Sequence, residues 1–119
     1  MNGTELLGVK WRLRSIVLDG RPIDNVAEAE AHLIFGADGK ASGRGGCNLF
    51  FAGYKNKGGS VRFQAVASTK KYCEATMPVE TAFFKALGAV TRLSVEDDVL
   101  KMVSKDGKAE LVFARATQE

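Results

Sequence analysis
The chain has 119 residues, 45% apolar and 26% charged, with 17 basic against 14 acidic side chains. That balance fits a single domain over residues 1–119 with a core that needs no staples, and it excludes a disordered chain. The net charge of +3 is small and spread along the sequence, with Lys55-Asn56-Lys57 and Lys70-Lys71 as its nearest approach to clusters. Nucleic-acid binders concentrate charge on one face, so these lysines read as solvated loops and no nucleic-acid partner is expected.

No apolar run reaches transmembrane length, so no stable membrane insertion is expected. Met1–Lys10 carries no basic n-region, apolar h-region or small-residue cleavage site, and no lipid-acceptor pattern. As written, the chain reads as cytosolic. The alternative is a mature bacterial protein of the periplasm or outer-membrane face whose leader was removed. Two cysteines alone do not decide the compartment.

In chain order, Trp11–Val17 alternates, with Trp11, Leu13, Ser15 and Val17 on one side and Arg12, Arg14 and Ile16 on the other, as in a half-buried strand. Asp19-Gly20-Arg21-Pro22 turns the chain. Ala29–Phe35 predicts a second strand with Ala31, Leu33 and Phe35 inward. Asp38-Gly39 is a hairpin signal, so Lys40–Gly43 pairs back as a third. Gly43, Gly45 and Gly46 mark a bulge or tight bend, and Asn48 suits an irregular turn. Leu49–Tyr54 follows as a fourth strand. Asn56–Gly59 turns into a fifth, Ser60–Ala65, with Val61, Phe63 and Ala65 alternating.

One convincing helix spans about Met77–Leu87. Thr76 is placed to cap it and Pro78 suits its first turn. Glu80 lies where the helix dipole favours an acid, and Val79, Phe83, Ala86, Leu87 and Val90 share one face. Gly88 is expected as its left-handed stop. Val90–Val95, Val99–Ser104 and Ala109–Arg115 close the chain as a meander. The fold class is α+β: a mostly antiparallel curled sheet or open barrel of about eight short strands with one helix.

Gly45-Gly46-Cys47-Asn48, Tyr54, Thr69 followed four residues later by Cys73, and Glu80 with Phe83-Phe84 and Leu87 resemble the META/HslJ family. Leu7-Gly8 with Trp11-Arg12-Leu13, Asp38-Gly39, and Leu100 with Leu111-Val112-Phe113 extend the resemblance over about Leu6–Arg115. It implies a small curled β-domain with one helix. Bacterial members of the family are often envelope proteins with a signal or lipoprotein leader, and some are heat-inducible or tied to antibiotic resistance. Trypanosomatid members lack the leader and are linked to virulence. Similarity to a lipid-binding secretin pilot is fold-level analogy. The family's Gly45, Gly46, Cys47, Asn48, Thr69 and Cys73 are expected to be structural.

Cys47 and Cys73 admit three readings: buried reduced thiols, a disulfide, or a redox pair activated by nearby positive charge such as Lys70 and Lys71. A metal site built on both cysteines and His32 lacks any paired ligand spacing. A phosphate loop is excluded because neither Gly-Lys-Ser/Thr nor a helix follows the glycines. Ser42 and Ser68 sit in no nucleophile pattern, and Glu28, Glu30 and Glu96–Asp98 look solvated. No catalytic residue, cofactor or metal is therefore expected. Phe50 and Phe51 must point to opposite faces of a strand, and Phe83 and Phe84 cannot both face inward. These residues and Tyr54 are the candidates for binding. The reading is a monomeric, non-enzymatic binding or stress-associated module that meets a protein partner or an apolar ligand at the sheet mouth or helix. The alternative is a thiol redox protein using Cys47 and Cys73.

Overall fold
The computed structural model describes residues 6–116. Nine strands are seen: β1 Trp11–Leu18, β2 Arg21–Pro22, β3 His32–Phe35, β4 Lys40–Arg44, β5 Leu49–Lys57, β6 Ser60–Ser68, β7 Val90–Glu96, β8 Val99–Ser104 and β9 Glu110–Arg115. Helix α1, Val26–Ala29, precedes β3, and α2, Met77–Ala89, joins β6 to β7. The strands pair antiparallel in the order β2-β1-β3-β4-β5-β6-β7-β8-β9, and β1 also pairs with β9 from Trp11↔Arg115 to Val17↔Glu110. That last pairing closes the ring. Eight strands form a barrel, and the two-residue β2 flanks β1 outside it. The sheet is thus closed rather than open, and closure removes most of the edges a curled sheet would leave.

The ring is uneven. β5 and β6 pair along most of their length, whereas β7 meets β6 at one register pair, Ser60↔Arg92, supported by Leu93 N–H donating to the Gly59 carbonyl at 2.8 Å. Trp11, Phe35, Phe50, Phe83 and Phe113 are fully buried. Phe83 of α2 packs edge-on to Phe50 at 5.6 Å and tilted against Phe113 at 6.0 Å. The helix therefore inserts its apolar face into the barrel, and aromatic side chains fill the interior. At Gly43 a side chain is impossible: a Cβ would lie 2.1 Å from the His32 carbonyl oxygen. This close approach lets β3 and β4 curl tightly.

Several local expectations change. β1 carries a bulge between Leu13 and Ser15, so Trp11, Leu13 and Ile16 are buried instead of Ile16 facing out. Val26–Ala29 forms a helical turn held between Asn25 and Glu30, both at positive φ, so the second strand begins at His32. β5 runs on to Lys57, which puts Lys55 and Lys57 in a strand and leaves the turn to Gly58 and Gly59. β6 extends to Ser68 through a bulge at Ala65, whose φ is 53°, so Ala65 is exposed and not inward. Helix α2 passes through Gly88 and ends at Ala89, with Val90 already extended, so Gly88 is no left-handed stop. Thr76 occupies the N-cap position, but its hydroxyl makes no cap bond and is buried without a partner.

Candidate functional site
The Gly45–Asn48 turn joins β4 to β5, closed by Gly45 N–H donating to the Asn48 carbonyl at 2.9 Å. Gly46 sits at φ 118°, and a Cβ on Gly45 would lie 2.8 Å from the Phe84 ring and 2.9 Å from Glu80 Cγ. The turn is pressed against the first two turns of α2, and only glycine fits there.

Glu80 is almost fully buried. Its Oε1 accepts the amides of Cys47 at 3.0 Å and Asn48 at 2.6 Å, and its Oε2 accepts Asn48 Nδ2–H at 2.7 Å. The other Asn48 Nδ2–H donates to the Lys71 carbonyl at 3.0 Å. Asn48 Oδ1 accepts the Lys71 amide at 2.7 Å and the Thr69 hydroxyl at 2.8 Å, and Thr69 Oγ1 accepts Leu49 N–H at 3.2 Å. Every hydrogen-bonding position of the Asn48 side chain is filled. Cys47 and Cys73 form a disulfide with their α-carbons 5.8 Å apart.

Gly45, Gly46, Cys47, Asn48, Thr69 and Cys73 thus come together in one knot. It ties the β4–β5 turn to the stretch after β6 and to the start of α2. Its anchor is Glu80, which helix-dipole reasoning undervalues. The amides it binds lie 32 and 33 residues away, so no local pattern displays the contact. The knot's polar groups are spent on one another, which suits holding the chain together rather than reacting with a substrate.

The aromatic candidates divide differently. Phe50 and Phe83 are core, and Phe84 is half-buried against Phe50 at 5.3 Å. Tyr54 stacks edge-on to Phe35 at 4.9 Å, and its hydroxyl donates to the Gly36 carbonyl. Burial, then the charge of Asp38, hold its phenol above the ordinary range. Phe51 alone is presented to solvent, at 57% exposure. It lies in a cross-strand row on the barrel's outer face, Ile34↔Ser42↔Phe51↔Ala67. There it borders a groove of about 570 Å³ floored by small and apolar residues, including Ala52, Gly53, Ala65 and Ala67, with Asp38 and Lys40 also in its wall. A depression of about 660 Å³ near Leu18, Ala89 and Ser104 is larger but has no aromatic lining. His32 is half-buried on β3, and burial, then Lys10 and Arg44, lower its imidazole pKa. With both sulfurs bonded to each other, neither cysteine can join His32 as a thiolate ligand.

Fold and knot together define a small antiparallel β-barrel plugged by one helix. The chain belongs to the META domain family, whose model matches residues 4–118. Its fold is similar to that of a protein from Burkholderia xenovorans solved by NMR, at 25% identity and a TM-score of 0.75 over 95% of this chain and 85% of that one. It is also similar to a DUF4847 family protein from Bacteroides vulgatus, at 15% identity and a TM-score of 0.70 over 96% of each chain. No curated protein matches the chain.

Proposed function
We propose that this META domain is a non-enzymatic binding module that seats an apolar side chain of a protein partner in the outer-face groove beside Phe51. The observation that carries the reading is the exposure of Phe51 among alanine and glycine neighbours that leave room around its ring. A large aromatic held out of the core by strand alternation, beside a concave apolar floor, supports contact with a partner. The barrel mouth offers less, because Phe50 and Phe83 fill it. The thiol-redox alternative is weaker: Cys47 is 3% exposed and its amide is bound to a carboxylate, neither of which favours a thiolate. The disulfide suits an oxidising compartment, which favours the envelope location over the cytosol.

The test is a titration of backbone-amide chemical shifts with the apolar probe anilinonaphthalene sulfonate. Saturable shifts confined to Ile34, Ser42, Phe51–Gly53 and Ala65–Ala67, lost in Phe51→Ser, are expected. Shifts elsewhere, or none, would contradict the groove. Phe51→Ser itself should alter stability by no more than about 0.5 kcal/mol, as for an exposed side chain.

A further inference from the structure
We infer that the unpaired edge of β6 receives an extended, acidic segment of a partner protein as an added strand. This rests on the groove reading and names the kind of partner it takes. Two independent observations carry it.

The first is the open edge. Tyr54 N–H donates to Gly39 on the β4 side, so strand alternation turns the backbone of Gly53 and Lys55 toward β6, where they pair with Gln64 and Arg62. The N–H and C=O of Phe63 therefore point away from β5. Past the bulge, Thr69 N–H donates to the Leu49 carbonyl, and the same alternation turns Val66 and Ser68 outward. β7 leaves β6 after the Ser60–Arg92 pair, and no further strand of the described chain pairs with β6 on that side, while α2 also packs against β6. Ala65, Val66 and Ala67 are all exposed. A row of unpaired backbone groups is a template for strand addition.

The second observation is charge. Lys55 and Arg62 stand directly opposite each other, and the neighbouring register row places Lys57, Ser60 and Arg92 side by side. Like charges opposite one another are destabilising unless an anion joins them. Among the described residues none of these four cations makes an ion pair. A depression of about 270 Å³ lies between Lys55, Lys57, Arg62, Gln64 and Thr91, with no carboxylate in its wall. An acidic strand would neutralise these cations. Its carboxylates fall at the Arg62 end of β6, and an apolar residue falls beside Ala67 and Phe51 at the other.

The probe is a fluorescein-labelled peptide of alternating valine and glutamate, with a valine–lysine peptide and an N-methylated valine–glutamate peptide as controls. The expected result is saturable binding of the valine–glutamate peptide alone, weakened by added salt. Its binding should slow amide exchange at Phe63, Val66 and Ser68, and Lys55→Glu with Arg62→Glu should weaken it by on the order of tenfold. Equal binding of the N-methylated peptide would overturn strand addition, as would no binding, which would leave the cations as protection of an edge against aggregation. The two readings fail separately. Peptide binding unchanged in Phe51→Ser would sink the groove and keep the edge. Probe shifts around Phe51 without edge protection would keep the groove and sink the edge.

Discussion

Asn48 and Glu80 share one buried hydrogen-bond network. A buried carboxylate is tolerable only when its lone pairs are filled, and Glu80 has three N–H donors on its two oxygens. In Glu80→Gln one oxygen becomes an NH2 group that must face either two backbone amides or the Asn48 amide, donor against donor. A loss of about 1–3 kcal/mol is expected, the penalty of an unsatisfied buried group, measured by urea unfolding. Combining it with Asn48→Ala should cost less than the sum of the two, because they share one network. At this scale the sequence is partly legible. Gly-Gly-Cys-Asn, the Thr69–Cys73 spacing and Glu80 all stand out in it. What they do to each other is not legible, since the partners come from three separate stretches that only the closed fold assembles.

The elements carry the clearest mismatches, and each has a cause. Alternation predicts strand existence well, but a bulge shifts it by one residue. Arg14 in β1 turns the following side chains to the opposite face from the one predicted, and in β6 the bulge turns Ala65 itself outward. Neither position carries a glycine to give warning. Gly88 is expected as a stop yet lies inside α2, where the packing of Ala86 and Leu87 on the core outweighs the small helical penalty of one glycine. Gly45 and Gly46 form the tight bend that their spacing predicts. Gly45→Ala should destabilise by about 1–3 kcal/mol, as overpacking does, because its Cβ would meet the Phe84 ring and Glu80. Trimming the ring with Phe84→Ala should make the double variant less unstable than the two single costs predict, a non-additivity that thermal unfolding would read.

At the scale of the whole molecule, closure is what the sequence could not announce. Hairpin signals show which neighbours in sequence pair, but the β1–β9 pairing joins the two ends of the chain. The sequence leaves the disulfide as one of three readings for the same reason, since a separation of 26 residues gives no geometry. Breaking it, by reductant or by serine at both cysteines, should lower stability by about 3–4 kcal/mol on the loop-entropy model. The barrel should stay folded, because the core and the hydrogen-bonded ring are untouched. Loss of the fold on reduction would mean that the knot is the main source of stability and not a local clasp.

The proposed binding face is Phe51 and β6, whereas the knot at Asn48 and Glu80 is assigned to stability. The most direct test is to measure stability and valine–glutamate peptide binding side by side in Glu80→Gln and Phe51→Ser. Glu80→Gln should lose stability and, while folded, bind as the parent does. Phe51→Ser should keep stability and bind more weakly. The reverse pattern, weak binding in folded Glu80→Gln and undiminished binding in Phe51→Ser, would place the function in the knot and contradict the account.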